Sequence, residues 1–270
     1  MSGQILGDRY EVERQLGKKS GRWTLLARDL LTESPVVLKV LFLDENLEPD
    51  DLKLFKREVE TLQALSHPST PRYLGYFEIG LPRDGRALAL IQSYLPGKSL
   101  SQYMQEQRIL SPVEAKRIAA SVLEILHYLH NHQPPIVHRD IKPSNLLLSN
   151  DAEAIAAHVC LVDFGSVKSL TSSDATTFSI VGTEGYMPPE QVGRRAIIAS
   201  DLYSLGMTLV AGMAGKEPQD LPRQGFRLDI DQILTLEPLF SAWLKKMIEP
   251  DVIKRYRFAS DALDGLAQTS

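Results

Sequence analysis

The feature that most constrains this 270-residue chain is a change of period at Pro96-Gly97-Lys98. Before it, apolar and polar residues alternate as they do in strands; beyond it, apolar residues recur every three or four positions as they do in helices. Five stretches ahead of the break read as strands: 9–16, 24–28, 36–41, 72–79 and 87–94. Turn chemistry at Glu33-Ser34-Pro35 and Pro82-Arg83-Asp84-Gly85 separates neighbouring runs. One helix interrupts the series. Pro49-Asp50-Asp51 puts acid at its positive end, and Leu52, Phe55, Val59 and Leu62 form one apolar stripe with Glu58 beside it. Proline restricts the residue before it, so Ser66-His67-Pro68 is expected to end this helix. After the break, Ser111-Pro112-Val113-Glu114 is a capping box with proline at the first helical position. Ile118, Val122, Ile125 or Leu126, and Leu129 supply the buried face of the helix that follows. Val159-Cys160-Leu161-Val162 reads as a short buried strand. Strands gathered first and helices gathered after indicate an α+β chain.

Composition excludes several function classes. Hydrophobic residues make up 43% and charged residues 24%, ordinary for a globular chain. Lys and Arg total 30 against 34 Asp and Glu, a net charge of −4 with no broad basic field, so nucleic acid is not an expected partner. The single cysteine, Cys160, allows neither an intrachain disulfide nor a multi-cysteine zinc site. The most apolar run, 202–215, is too short to span a membrane and begins beside Asp201, so it reads as a buried helix and no membrane segment is expected. Residues 1–6 hold no apolar signal core, and a cytoplasmic location is the expectation.

The residues that carry chemistry cluster at His138-Arg139-Asp140-Ile141-Lys142-Pro143-Ser144-Asn145. The stretch places a carboxylate able to act as a base, an ammonium and an amide close together. Other motifs stand in order around it: Lys39 ends Val36-Val37-Leu38-Lys39, Asp163-Phe164-Gly165 follows the buried strand, and Val181-Gly182-Thr183 and Met187-Pro188-Pro189-Glu190 come after. Singly, each has a bland reading: Lys39 and Glu58 as solvated charges, Asp163-Phe164-Gly165 as a turn. Their ordered set resembles the eukaryotic-like (Hanks-type) Ser/Thr protein kinases that also occur in bacteria, over about residues 9 to 266.

The resemblance implies a two-lobed protein kinase fold: a β-rich N-lobe over 1–93 with one main helix, and a mostly helical C-lobe over 94–270. It implies transfer of the γ-phosphoryl group of Mg-ATP to protein Ser or Thr hydroxyls. Asp140 would take the hydroxyl proton, and Lys142 would neutralise charge on the group in flight. Lys39 would hold the ATP phosphates with Glu58 aiming it, and Asn145 and Asp163 would hold Mg²⁺. Leu16, Gly17, Thr24, Val37, Gln92, Ser93 and Leu95 would complete the ATP site. Thr177, then Thr176, are the expected activation-segment phosphosites, docking on Arg139 once modified, with a transient dimer for autophosphorylation. Glu190 would pair with Arg255, and Asp201 would brace the catalytic loop.

The chain departs from the family's glycine-rich nucleotide loop. Gly17-Lys18-Lys19-Ser20-Gly21-Arg22-Trp23-Thr24 keeps the first glycine, while Lys19 and Arg22 replace the other two and could partly compensate as cations. That departure motivates an alternative, a pseudokinase serving as a nucleotide-binding or scaffolding module. Two further patterns read as decoys. Gly97-Lys98-Ser99 is similar to the end of a P-loop but lacks its first glycine, and His127, His130 and His132 lack the carboxylate or cysteine neighbours of a metal site.

Overall fold

The computed structural model describes residues 2–19, 21–45, 47–80, 85–148, 158–170, 182–193, 195–224 and 227–269. It divides into two compact units, Met1–Leu95 and Pro96–Ser270.

The first unit is built on one antiparallel sheet. Its strands are β1 (Ile5–Leu6), β2 (Tyr10–Lys19), β3 (Arg22–Asp29), β4 (Pro35–Phe42), β5 (Tyr73–Gly80) and β6 (Arg86–Ser93), hydrogen-bonded in the order β1-β2-β3-β4-β6-β5. Strand side chains alternate between faces, and here the alternation sorts them cleanly. Leu25, Ala27, Val36, Leu38, Val40, Ala89 and Ile91 point to one face and form its apolar core. The cross-strand rows Thr24–Lys39–Leu90 and Leu26–Val37–Gln92 therefore share the opposite face. Strand β2 slips register between Val12 and Arg14 and again between Gln15 and Gly17, two irregularities that bend it toward its hairpin with β3. Helix α1 (Pro49–Ala64) lies between β4 and β5 in sequence and stops at Leu65, just before Ser66-His67-Pro68. Phe55, Val59 and Leu62 of its apolar stripe are buried.

The second unit begins with β7 (Lys98–Ser99), α2 (Leu100–Gln105) and α3 (Pro112–His130). Ser111 and Glu114 form the reciprocal cap at the start of α3: the Ser111 hydroxyl accepts from Glu114 N at 3.2 Å and Glu114 accepts from Ser111 N at 2.8 Å. Ile118, Val122, Ile125, Leu126 and Leu129 are all buried, so both Ile125 and Leu126 belong to the apolar face. Short strands follow: β8 (Ile136–Val137), β9 (Leu146–Leu148), β10 (Val159–Leu161) and β11 (Lys168–Ser169). They pair antiparallel as β10-β9-β7 and β11-β8. Helices α4 (Pro189–Val192), α5 (Ile198–Ala214), α6 (Ile230–Ile233), α7 (Pro238–Met247) and α8 (Ala259–Ala267) complete the unit, with a two-strand ribbon, β12 (Arg223–Gln224) and β13 (Arg227–Leu228), ahead of α6.

Helix α5 is buried on every side from Ala199 to Met213. This is why the 202–215 run is apolar all round: it is the central element of a helical core. Among the described residues no helix is long and apolar enough to cross a membrane.

The P-loop look-alike has a structural explanation. Gly97 adopts φ +147°, and a Cβ there would lie 2.6 Å from the Leu148 carbonyl oxygen, so glycine is required just ahead of β7, where the chain comes alongside β9. Lys98 pairs with Glu106 at 2.8 Å, and the Ser99 side chain caps α2.

At the far end of β3, Asp29 accepts from Arg9 Nε at 2.7 Å and Arg9 Nη2 at 2.6 Å, and from Leu31 N and Thr32 Oγ1 at 3.0 Å each. The Arg9 hydrogen bonds, chief among these contacts, hold its carboxyl well below the usual carboxylate range. A depressed native pKa contributes stability that is present above about pH 4 and lost as pH falls through the lower native value. Asp29→Asn should accordingly be less stable than wild type at pH 7, with the gap closing between about pH 4 and acid denaturation. Parallel urea titrations across that range check it; a gap independent of pH would show that the charge contributes nothing.

Candidate functional site

In the first unit the expected nucleotide residues sit on one sheet face. Thr24, Val37, Lys39 and Gln92 occupy the two adjacent rows opposite the apolar core, because β3, β4 and β6 keep a regular register through them. Lys39 donates to Glu58 Oε1, joining β4 to α1, with side chains only 14% and 6% exposed. A Lys–Glu pair this far from water needs its partner, since removing either leaves an uncompensated charge. Gly17 pairs with Thr24 across the β2–β3 hairpin, which runs to Lys19 opposite Arg22. Leu16 is 40% exposed, Gln92 is buried, and Ser93 and Leu95 are half-buried at the end of β6 and beyond it.

One expectation is corrected here. Arg22, in the place of a family glycine, does not stand open to a phosphate. Its guanidinium donates to Asp51 Oδ1 at 2.6 Å and to the Asp51 carbonyl at 3.1 Å. Asp51, in the first turn of α1, takes the cation and ties the hairpin to the helix. Lys18 is likewise engaged, its Nζ 5.3 Å from the centre of the Trp23 ring.

In the second unit three side chains close a triangle. Lys142 Nζ donates to Asp140 Oδ2 at 2.8 Å and to Thr183 Oγ1 at 2.7 Å, and Thr183 Oγ1 donates to Asp140 Oδ1 at 2.7 Å. Both Asp140 oxygens are thereby directed. Asn145 Nδ2 donates to the Asp140 carbonyl at 2.7 Å and reaches Asp140 Oδ2 at 3.3 Å. With its nitrogen committed to Asp140, Asn145 keeps Oδ1 as an acceptor, which Ser144 Oγ approaches at 3.4 Å. The β9–β10 ladder extends by one further bond, Val162 N to the Asn145 carbonyl at 3.0 Å, which brings the Asp163 segment alongside Asn145. Asp163 itself has φ +68°, a left-handed conformation uncommon outside glycine and tolerated by Asp. Next to it, Phe164 is buried and meets His138 edge to face, ring centres 5.0 Å apart. Burial pushes the His138 imidazole pKa down, so the ring is a neutral packing group at pH 7.

Beneath this loop lies Asp201, fully buried on α5. Its carboxylate accepts from His138 N at 2.9 Å, Arg139 N at 2.8 Å and His130 Nε2 at 3.0 Å. His130 is thus a partner of Asp201, while His127 faces Asn131 and His132 lies against the Pro134 carbonyl. The Arg139 side chain donates to the carbonyls of Ser166 and Val167. Thr176 and Thr177 lie outside the described residues.

The end of the 182–193 stretch is fastened by a second ion pair. Arg255 donates to Glu190 Oε1 at 2.7 Å and Oε2 at 3.2 Å, and also to the carbonyls of Glu249, Ala199 and Pro250. Glu190 takes a further hydrogen bond from Ser200 Oγ at 2.9 Å. Residue-level patterns gave no sign of one more contact, Gln191 Nε2 to the Arg139 carbonyl at 2.7 Å. A lone glutamine after Glu190 carries no motif, and its partner stands 52 positions earlier.

The chain belongs to a known family. The family described as "Protein kinase domain" matches residues 10–263. Serine/threonine-protein kinase B of Synechocystis is 32% identical, the alignment covering 97% of this chain and 46% of that protein. Serine/threonine-protein kinase PknA of Nostoc is 30% identical, over 97% of this chain and 48% of that protein. PrkC of Bacillus subtilis, also a serine/threonine-protein kinase, is 30% identical over 81% of this chain and 32% of its own length. The chain spans about half the length of the Synechocystis and Nostoc relatives, and less of the Bacillus one.

Because the Arg255 side chain is wholly buried and Glu190 nearly so, cutting the pair strands a charge. Arg255→Ala should lose about 3–5 kcal/mol of unfolding free energy. Guanidinium denaturation checks this, and a loss under about 1 kcal/mol, the range of an exposed pair, would contradict it.

Proposed function

We propose that this chain, a member of the protein kinase domain family, transfers the γ-phosphoryl group of ATP to Ser and Thr hydroxyls of protein substrates. The observation that carries the reading is the closed Asp140–Lys142–Thr183 triangle. A substrate hydroxyl arriving at Asp140 meets a carboxylate already oriented and partly neutralised. As its oxygen attacks the γ-phosphorus, its proton passes to Asp140, the bond to the β-phosphate oxygen breaks, and ADP leaves. Lys142 carries positive charge to the group in transit. Thr183, which bonds both, fits a site built for an aliphatic hydroxyl.

ATP is the family's phosphoryl donor, normally with Mg²⁺. The residues present fit such an ion: Asp163 offers a carboxylate and Asn145 its Oδ1, hard oxygen donors of the kind magnesium takes alongside phosphates and water. A bound ion would offset the negative charge of the phosphates. Lys39, held by Glu58, is assigned to the phosphates. Gly17, Thr24 and Leu16 of the hairpin, Val37 and Gln92 of the shared sheet face, and Ser93 and Leu95 are assigned to the rest of the nucleotide. The tie between Arg22 and Asp51 supports a hairpin held by protein contacts in place of glycine flexibility.

Regulation through Thr177 or Thr176 belongs to the same proposal. An added phosphate would compete with the Ser166 and Val167 carbonyls for the Arg139 guanidinium. Autophosphorylation calls for two copies meeting transiently.

The test is phosphate transfer from Mg-ATP to a generic protein substrate. Wild type should transfer, Asp140→Asn should lower kcat by about 10²–10⁴-fold, and phosphoserine or phosphothreonine should be the product. An Asp140→Asn protein as active as wild type overturns the assignment. Mg-ATP binding without transfer by wild type would point instead to a nucleotide-binding module, and no binding at millimolar Mg-ATP would remove both.

A further inference from the structure

Arg139, the residue before Asp140, has φ +68°. Such a conformation is sparsely populated away from glycine and persists where surrounding contacts over-determine it. Both sides of this residue are held. Its N–H goes to the Asp201 carboxylate at 2.8 Å, and its carbonyl accepts from Gln191 Nε2 at 2.7 Å. Asp201 is fully buried and Gln191 is 3% exposed, so water does not compete for either bond. The carbonyl that Gln191 holds lies in the same rigid peptide plane as the Asp140 nitrogen. Fixing that plane fixes where the Asp140 side chain starts, and only two side-chain torsions separate that start from the carboxylate.

Gly182 makes the arrangement possible. Its φ is +136°, and a Cβ there would lie 2.7 Å from Gln191 Nε2 and 3.1 Å from the Arg139 carbonyl oxygen. The next residue, Thr183, donates to Asp140 Oδ1. Helix α4, the 182–183 segment and the catalytic loop therefore meet at one amide.

We propose that Gln191 is a positioning residue for phosphoryl transfer: its side-chain amide clamps the Arg139–Asp140 peptide plane and so aims Asp140 at the substrate hydroxyl. The inference rests on the reading of Asp140 as the base. What the position requires is a neutral donor of glutamine length. An apolar isostere leaves the Arg139 carbonyl buried without that donor, and an ionised glutamate sets two acceptors against each other.

Two variants and two readouts test this. Gln191→Leu should lower kcat about 10–100-fold while KM for ATP stays within about two-fold, since small displacements of a reacting group cost that much and the nucleotide residues are untouched. Gln191→Glu should be equally poor at pH 8. Burial raises the pKa of an introduced carboxyl, and the protonated acid can donate. Its activity relative to wild type should thus recover as pH falls toward about 6, while the Gln191→Leu ratio stays flat. The pH response of Gln191→Glu against wild type is read without Gln191→Leu, so it survives if that variant does not fold. The second readout needs no catalysis: amide hydrogen exchange over residues 138–146 should be faster in Gln191→Leu and in Gln191→Glu at pH 8, with exchange in α1 unchanged. Unaltered exchange over 138–146 overturns the clamp whether or not wild type transfers phosphate. Faster exchange with wild-type kcat, or a Gln191→Glu ratio that does not respond to pH, overturns the aiming role. Absence of transfer by wild type defeats the proposed function instead, and the exchange measurement still decides whether Gln191 holds the loop.

Discussion

The buried carboxylate of Asp201 is the interaction on which the second unit depends. A charge fully removed from water is costly unless donors surround it. Here the donors are two consecutive backbone N–H groups, His138 and Arg139, and the ring of His130. The need to satisfy Asp201 therefore pins the loop that carries Asp140 to α5, and α5 is itself fixed by burial on all sides. The loop has no ladder of its own across 138–142. It takes its rigidity from that carboxylate below, from Asn145 within, and from Thr183 and Gln191 on the segment that follows.

The fold was readable because two periodicities were unmixed. Strand runs at 24–28 and 36–41 lie inside β3 and β4, and the capping box at Ser111 opens α3 where expected. Two-residue strands such as β1 and β7 escaped, since so short a run carries no period. Motif order supplied the family and singled out Lys39, Asp140 and Asp163 as candidates, but not the bonds that hold them. His127, His130 and His132 read as a decoy without carboxylate neighbours in sequence; His130 turns to a carboxylate 71 residues away. Arg22 was read as a cation for phosphate, and nothing local shows that Asp51 lies beside it. Gln191 carried no signal at all. In each case the deciding partner is distant along the chain, and single-residue chemistry does not encode distance.

The hairpin illustrates how one substitution changes the physics of a site without changing its outline. Glycines give freedom to approach a ligand and pay for it in conformational entropy. Arg22 gives up that freedom and gains an anchor on α1, the helix that also carries Glu58. The hairpin and the lysine partner are thus joined through a single helix.

The shared sheet face has a consequence for which changes of length the chain can absorb. Thr24, Val37, Lys39 and Gln92 stand together only because β3, β4 and β6 remain in step. Adding or removing one residue within β4 would reverse every side chain beyond that point, turning Lys39 into the apolar core and Leu38 or Val40 outward. Insertions in the connections carry no such penalty. Lineages descending from this sequence are therefore free to lengthen its turns, while the residue count of its central strands is locked by parity.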